Sequence, residues 1–294
     1  MPCRGVERSC SFWPNAGCRD LAGTPLPSYL AIMKIPFLSS KPIVAVIRLQ
    51  GQIGTGSRGS LSAAALAPVI DRAFRRKKPK AVAIALNSPG GSPVQSSLIA
   101  AQIERLSQET DVPVYAFVED MAASGGYWLA SAANEIWADE SSILGSIGVI
   151  SAGFGFSDLI GRYGIERRVH TAGKSKSMLD PFRPEKPEDV ERLNQLLEPI
   201  HEAFRAQILR RRGDRLAAGT DLFTGDIWTG KQAVELGLAD GIGHLVPKMR
   251  ENYGKNLRFL HYGMRVSLLR RFGLSADDFI DAAEGRANGL RLSS

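Results

Sequence analysis

Short apolar runs alternate along the first half of the chain with segments whose apolar residues recur at helical spacing. The runs at residues 43–47, 80–87 and 112–118 are nearly continuous, as in strands that are buried on both faces. Between them, residues 61–76 and 94–108 place apolar side chains three and four positions apart, which predicts two helices. Strand, helix and strand at this spacing indicate right-handed βαβ units, so the predicted fold class is α/β with a largely parallel sheet.

The second half of the chain continues the pattern less regularly. Two further short strands are predicted at residues 135–138 and 147–150, and a long helix at 187–212. Residues 257–272 carry apolar positions at helical spacing with four arginines and no acidic residue, which predicts a basic amphipathic helix as a C-terminal extension.

The pattern divides the chain into three parts. Residues 1–41 are expected to be a disordered extension, 42–250 the folded domain, and 251–294 an amphipathic helix with a mobile tail. The three cysteines lie within the first 18 residues, so a disulfide framework is excluded for the folded domain. Met33 has the character of a natural chain start, so we expect residues 1–32 to be an artefact of an upstream start codon.

Composition and charge limit the cellular locations and the binding partners that we expect. No window approaches the ~18–20 apolar residues of a membrane span, so we expect a cytoplasmic protein or one peripheral to a membrane. The net charge of +7 comes with two arginine clusters, neither of which is interleaved with stacking aromatic residues over any length, and this argues against nucleic-acid binding. The cluster at 205–215 is typical of a solvated helix face. The basic segment 257–272 suits contact with an anionic membrane surface, although packing on the body or on a neighbouring subunit explains it equally well.

A serine among small residues is the first candidate for chemistry. Ser124 stands in Met121-Ala-Ala-Ser-Gly-Gly-Tyr127, where a strand ends and a helix begins. Unpaired backbone N–H groups surround such a position, which suits a nucleophile whose attack generates an oxyanion. Taken alone, the segment is equally well explained as a serine that caps a helix.

The turn Asn87-Ser-Pro-Gly-Gly91 is the second candidate. Proline followed by glycine favours a type II turn, which requires a positive φ at the glycine. A backbone N–H from this turn, together with that of Gly125, makes a two-donor oxyanion hole. An isolated turn of this kind is more often a plain connection, and its place one βαβ step before Ser124 favours the functional interpretation.

A serine nucleophile needs a general base. The four histidines, His170, His201, His244 and His261, support a Ser-His-Asp triad poorly, since only the first stands near a cleft segment and no acid is placed to orient it. Lys174 and Lys176 lie in a small-residue segment that follows a strand. A lysine of ordinary pKa is about 0.04% neutral at pH 7, so it acts as a base only where burial lowers its pKa. Ser146 is placed to hold such an amine. The ordinary interpretation of a single lysine is nevertheless a solvated surface charge.

Together these segments resemble the SppA-type serine peptidases, relatives of the Clp protease subunit and the crotonases. The likeness covers residues 42–246. Five motifs carry it in the family's order, namely Asn87-Ser-Pro-Gly-Gly91, Ala122-Ala-Ser-Gly-Gly-Tyr127, Gly145-Ser-Ile-Gly-Val149, Lys176-Ser-Met-Leu-Asp-Pro181, and Phe223-Thr-Gly with Gly237-Leu-Ala-Asp-Gly-Ile-Gly243.

The resemblance implies a Clp/crotonase-like fold and an endopeptidase with a Ser-Lys dyad. Ser124 matches the nucleophile, Lys176 the base and Ser146 the residue that orients the lysine. Gly91 and Gly125 match the oxyanion donors, with Gly90 as an alternative to Gly91.

The resemblance also implies a ring-like homo-oligomer that cleaves unfolded or membrane-released peptides, such as signal-peptide remnants, without metal or cofactor. We expect no counterpart of the membrane anchor that many members carry, and we expect the chain to correspond to the short, single-copy form. Two alternatives are a crotonase-like acyl-CoA enzyme, whose usual glutamate pair is replaced here by small residues, and a catalytically inactive scaffold.

Overall fold

The computed structural model describes residues 41–56, 60–173 and 175–263. These residues form one sheet with helices on both of its faces. The expected disordered extension over residues 1–41 and the expected mobile tail lie outside the described residues, apart from Lys41. The strands are β1 Ile43–Gln50, β2 Ala81–Ser88, β3 Val114–Ala123, β4 Glu135–Ala138, β5 Ile143–Gly145, β6 Ile227–Thr229, β7 Gly241–Ile242 and β8 Arg258–Tyr262.

The helices begin and end where local capping chemistry permits. Ser62 and Ser92 cap the first two helices by accepting from backbone N–H groups three residues on, and Pro93 occupies a position where its missing N–H does no harm. The helices are α1 Ala63–Arg75, α2 Pro93–Thr110, α3 Gly125–Ser131, α4 Ser157–Arg162, α5 Pro187–Arg212, α6 Gly230–Glu235 and α7 Leu245–Tyr253, with a 3₁₀ turn at Gly213–Arg215.

The sheet runs in the order β6-β5-β3-β2-β1-β8, and of its pairs in the described residues only β5–β6 is antiparallel. The long strand β3 pairs with β4 along its first half and with β5 along its second half, while β7 extends the sheet from β4. β2 lies between β1 and β3 and buries seven of its eight residues. The predicted α/β fold with a largely parallel sheet is therefore confirmed.

Two layers of side chains cover the sheet. One face packs against α1, α2 and α3, and α5 closes this layer by stacking Phe204 on Trp128 with 4.7 Å between ring centroids. The other face is covered in part by α7, where Met249 is fully buried and Tyr253 meets Tyr115 edge to face. The helix that follows Ser124 is thus held between the sheet and α5.

The helix predicted over residues 257–272 is wrong where the structure describes it. Residues 258–262 form β8, which pairs in parallel with β1 at the edge of the sheet, and residues 264–272 lie outside the described part. A short apolar run fits a strand as well as a helix, and pairing with β1, far away in sequence, decides between them. Residues 257–262 therefore do not support the expectation that a helix attaches the protein to a membrane surface.

The strand predicted at residues 147–150 is also wrong. The observed strand, β5, ends at Gly145, because both Gly145 and Ser146 have positive φ and the Ser146 N–H donates to the carbonyl of Asp226. The apolar residues that follow are unpaired, and Ile150 is 85% exposed.

Residues 149–186, which we call the arm, project from the packed layers. None of the described arm residues is buried, and α4 lies within this exposed stretch. Phe156 packs on Phe182 with 5.6 Å between ring centroids, but Phe154 and Tyr163 stay 81% and 73% exposed. The arm has its own small apolar contacts and presents large apolar side chains outward.

A buried ion pair ties the end of α5 to the sheet. Arg212, whose side chain is 2% exposed, donates to Asp240 and to the Gly237 carbonyl. Burial by itself raises the pKa of Asp240, but hydrogen bonds from Arg212 and from the Ile136 N–H outweigh it and hold that pKa below its usual value. Arg215 adds a second ion pair to the same carboxylate.

Replacement of Arg212 by alanine is expected to lower the free energy of unfolding by about 3 kcal/mol, because it removes the main partner of a partly buried carboxylate. Urea unfolding at pH 7 measures this loss. Arg192→Ala, at an exposed position of the same helix, is the matched control, with an expected change within about 0.5 kcal/mol.

The Arg212–Asp240 ion pair also makes the stability that is lost in Arg212→Ala depend on pH. Because the pKa of Asp240 is lowered on folding, its stabilising contribution is present above the unfolded-state pKa, about 3.9, and is lost as pH falls through the folded value. The difference in unfolding free energy between wild type and Arg212→Ala therefore narrows below about pH 4. An equal difference at pH 7 and pH 3 would contradict this account.

Candidate active site

Ser124 occupies the turn between β3 and α3 in a backbone conformation that is rare for a residue with a side chain. Its φ is 52° and its ψ −122°. Its N–H donates to the Gly145 carbonyl over 2.8 Å, and its own carbonyl accepts from Tyr127 and Trp128. Such a conformation costs about 1–3 kcal/mol and is found mostly at functional sites. The hydroxyl makes no capping bond to α3, so it is not the helix cap that the sequence also allowed.

The residues behind α3 fix its position. The buried Tyr127 hydroxyl donates to the Leu238 carbonyl over 2.8 Å, and burial raises the pKa of this phenol. Trp128 is held by its stack on α5. The nucleophile candidate is therefore carried on a turn whose following helix is anchored on two sides.

The turn after β2 lies directly against the turn of Ser124. Gly90 has a φ of 99°, in keeping with the predicted type II turn, and a Cβ added there would stand 2.9 Å from that of Ser124. Gly91 has a φ of 141°, and a side chain there would meet the Ile53 carbonyl oxygen at 2.1 Å. Only glycine fits this close approach, which a parallel bridge between residues 53 and 91 maintains.

Two N–H groups in this region have no acceptor. Among the described residues neither the N–H of Gly91 nor that of Gly125 donates to a backbone or side-chain oxygen. A Cβ added to Gly125 would stand 3.4 Å from the Gly91 nitrogen, so the two residues are neighbours. Gly91 is exposed and Gly90 is buried. The arrangement can donate two hydrogen bonds to one anionic oxygen beside Ser124.

Ser146 lies next to Ser124 because of the strand register. Ala123 at the end of β3 pairs with Gly145 at the end of β5, so the two serines follow paired residues in parallel strands. Ser146 also has a φ of 52°, and its turn is fixed by the bond to the Asp226 carbonyl and by a bond from Gly148. The structure thus brings together Ser124, Ser146 and the two glycines.

Lys176 has no described bond to this group within one chain. It lies in the arm, its side chain is exposed, and it makes no hydrogen bond or ion pair with another described side chain. Lys174 lies outside the described residues. The fifth member of the predicted site, Lys176, therefore has no described bond to the other four within a single chain.

The histidines do not supply a base either. His201 contacts the Ile147 carbonyl through Nε2 at 3.2 Å, His244 stands 3.6 Å from Asp139, and His170 is exposed. None of the described histidines hydrogen-bonds to Ser124. In the part of the chain that the structure describes, no three His, Cys, Asp or Glu side chains are grouped for a metal ion.

A cavity of about 770 Å³ on the sheet face that α7 partly covers is separate from this site. Its walls include Arg48, Asn87, Glu119 and His244, and Ser124 is absent from them. Two of its carboxylates already have partners, since Arg48 pairs with Glu119 and the Asn87 amide donates to Asp120.

Sequence reasoning missed two side chains of this region. Ser88, at the end of β2, is fully buried beneath the glycine turn, and His201 holds the carbonyl next to Ser146 from α5. A polar residue that ends a buried strand directly before Pro-Gly-Gly is a signal that could have drawn attention to Ser88. Nothing in the sequence links His201 to a turn 54 positions away.

Comparison with known proteins identifies relatives of this chain. Residues 107–251 match the family model described as Peptidase family S49. A putative protease of Synechocystis sp., slr0021, is 30% identical over 205 residues, which are 70% of this chain and 71% of that protein. This chain belongs to peptidase family S49. The SppA-type family expected from the motifs is confirmed.

Other relatives of the S49 chain are much longer than it is. A Brucella melitensis protein named Na(+)/H(+) antiporter NhaA is 50% identical over 218 residues, which are 73% of this chain and 30% of that protein. The Arabidopsis thaliana protein named Serine protease SPPA, chloroplastic, is 33% identical over 69% of this chain and 31% of its own length. The S49 chain thus spans less than a third of either. No helix in its described residues is both long and apolar enough to cross a bilayer.

Proposed function

We propose that this S49 chain is a serine endopeptidase in which Ser124 is the nucleophile and Lys176 the general base. The observation that carries the proposal is a serine held at positive φ beside two unpaired N–H groups, those of Gly91 and Gly125. A carbonyl oxygen that gains negative charge on attack by Ser124 would be stabilised by both donors. Gly91 is preferred to Gly90, because the Gly90 N–H already donates to Ser88.

The proposed reaction follows from the roles of these groups. The Ser124 Oγ transfers its proton to the neutral amine of Lys176 and attacks the peptide carbonyl, and the glycine N–H groups hold the resulting oxyanion. The Lys176 ammonium then protonates the leaving amine as the C–N bond breaks. Water, deprotonated by the same lysine, attacks the acyl-enzyme. The bond between the Ser124 Oγ and the acyl carbon then breaks, the lysine returns the proton to Oγ, and the second peptide is released.

The exposure of Lys176 supports the proposal that the site is completed in an assembly. A lysine acts as a base at neutral pH only where water is excluded from its amine, and the arm of a single chain provides no such cover. The arm also presents Ile150, Phe154 and Tyr163 to solvent. We propose that the arm packs on neighbouring copies in a ring-like homo-oligomer, which would cover both the apolar side chains and the lysine.

Disruption of the arm is expected to break the assembly. The double variant Phe154→Asp, Tyr163→Asp places two charges where we expect an apolar contact, so a large loss of oligomer and a parallel loss of peptidase activity should follow. Light scattering coupled to size-exclusion chromatography gives the mass. Val246→Asp, at a partly exposed apolar position on α7, is the control and should keep the wild-type mass. A double variant with wild-type mass would remove the arm from the interface.

The proposed substrates are unfolded or membrane-released peptides, signal-peptide remnants among them. The Arabidopsis relative is named a serine protease, and an extended segment presents its peptide carbonyls to a nucleophile more readily than a folded protein does. Degradation of fluorescein-labelled casein by the purified chain, and its loss in Ser124→Ala, tests the peptidase activity directly.

A catalytically inactive scaffold is the second candidate. The observation in its favour is that Lys176 is exposed and has no described bond to Ser124 within one chain. A fluorophosphonate distinguishes the two, because it reacts with an activated serine and leaves an inactive one unmodified. An adduct located on Ser124 by mass spectrometry supports the enzyme, and an unmodified, correctly assembled protein supports the scaffold.

A further inference from the structure

A buried hydroxyl lies beneath the turn that carries the Gly91 N–H. Ser88 is the last residue of β2 and is fully buried. Its Oγ donates to the Gly51 carbonyl over 2.7 Å and accepts from the Gly90 N–H over 3.2 Å. The hydroxyl therefore links the end of β1, the end of β2 and the glycine turn, and both of its hydrogen-bonding roles are used.

These bonds set the orientation of two successive peptide planes. Ser88 fixes the plane that contains the Gly90 N–H, and the Ile53 N–H fixes the next plane by donating to the Gly90 carbonyl over 2.8 Å. The described peptide bonds are trans, so the N–H of Gly91 points opposite to the Gly90 carbonyl. It is thereby directed away from Ile53 and toward the open side of the turn.

Ser88 also contacts the other half of the site. A Cβ added to Gly126 would lie 2.5 Å from the Ser88 carbonyl oxygen and 3.2 Å from the Ser88 Cβ. The first turn of α3, which carries the Gly125 N–H, therefore rests on this residue. One buried serine thus sets the spacing between the two glycine donors.

We propose that Ser88 is a positioning residue, whose hydroxyl directs the Gly91 N–H at the oxyanion. The inference rests on the proposed function, in which that oxyanion forms at Ser124. Ser88 does not touch the substrate and acts through the Pro89–Gly90 peptide, whose N–H it holds and to which the Gly90–Gly91 peptide is joined. Its loss lets the turn rotate, which weakens a contact made in the transition state and leaves binding of the ground state unchanged.

Ser88→Ala is the test. Removal of an oxyanion donor costs about 10²–10³ in kcat, so misdirection of one is expected to lower kcat about 10- to 100-fold, with KM within about twofold of wild type. Casein-derived fluorogenic peptides give both constants. Ser142→Ala is the matched control, because Ser142 is 2% exposed and its hydroxyl also bonds to backbone groups, at Val118, Glu119 and Asp139. It should lose stability without this fall in kcat.

Affinity for a peptide aldehyde isolates the oxyanion contact. The aldehyde forms a tetrahedral adduct with a serine nucleophile and the matching peptide alcohol does not, so Ser88→Ala should weaken the aldehyde about 10-fold or more and the alcohol hardly at all. Ser88→Cys, which keeps a weak donor of similar size, is expected to be intermediate and serves if the alanine variant does not fold.

The outcomes separate the inference from the proposed function. If Ser124→Ala loses the preference for the aldehyde over the alcohol while the folded Ser88 variants keep it, Ser88 is not a positioning residue and the nucleophile stands. If Ser124→Ala itself binds the aldehyde as wild type does, the proposed function fails. Equal loss of kcat in Ser88→Ala and Ser142→Ala would also overturn the inference, since it would reflect stability alone.

Discussion

Ser124→Ala is expected to abolish fluorophosphonate labelling and to reduce peptide hydrolysis by about 10⁴- to 10⁶-fold. The physical reason is the loss of the proposed nucleophilic oxygen beside the two glycine N–H groups. Intact-mass spectrometry locates the adduct in wild type, and cleavage of labelled casein gives the rate. Alanine at a positive φ is no less strained than serine, so the substitution should not make the turn more stable.

The control for this result is a serine of the same domain that lies away from the site. Ser107, near the end of α2, donates to the Val112 carbonyl, and Ser107→Ala should keep labelling and activity within about threefold of wild type. Persistence of the adduct in Ser124→Ala would place the nucleophile elsewhere and would remove the central assignment.

Lys176→Ala is expected to lower turnover by about 10²- to 10⁴-fold, the contribution typical of a general base. Labelling of Ser124 by the fluorophosphonate should slow in parallel, since the serine loses its proton acceptor. The oligomer should be unchanged, and light scattering verifies this. The loss of turnover then comes from the chemical step and not from disassembly. Lys176→Arg should fail as well, because a guanidinium does not give up its proton at neutral pH.

Lys174→Ala is the natural comparison, since the two lysines stand two positions apart in the same segment. We expect it to keep activity within about threefold of wild type. A large loss in Lys174→Ala with full activity in Lys176→Ala would move the base to Lys174. Ser146→Ala should show a smaller loss than Lys176→Ala, because it removes the proposed orienter and leaves the amine in place.

Several elements were predictable because their signals are local. The helix expected at 187–212 is observed with those bounds, since proline at its first position, acidic residues in the first turn and arginines in the last turn all mark its ends. The strand at 81–88 was equally visible, because burial on both faces requires a continuous apolar run. The turns at Ser124 and at Gly91 were found from their small residues.

Other elements had no local signal. Residues 258–262 read as part of a basic helix and became an edge strand, because β1 offered them a partner more than 200 positions away. A strand was predicted at residues 147–150, but β5 lies at Ile143–Gly145 and ends there, because the Ser146 N–H donates to the distant Asp226 carbonyl. Long-range pairing decides such segments, and periodicity in a short run does not contain it.

The sequence by itself determined the family, the parallel α/β order and the candidate residues Ser124, Ser146, Gly91 and Gly125, because motifs and apolar periods are properties of neighbouring residues. Only the tertiary structure decided how these residues meet. Parallel register put the two serines side by side, and the contact of the glycine turn with Ile53 left one N–H unpaired. The tertiary structure also left Lys176 exposed on the arm. No local pattern records this exposure, because burial depends on what the rest of the fold brings to that surface.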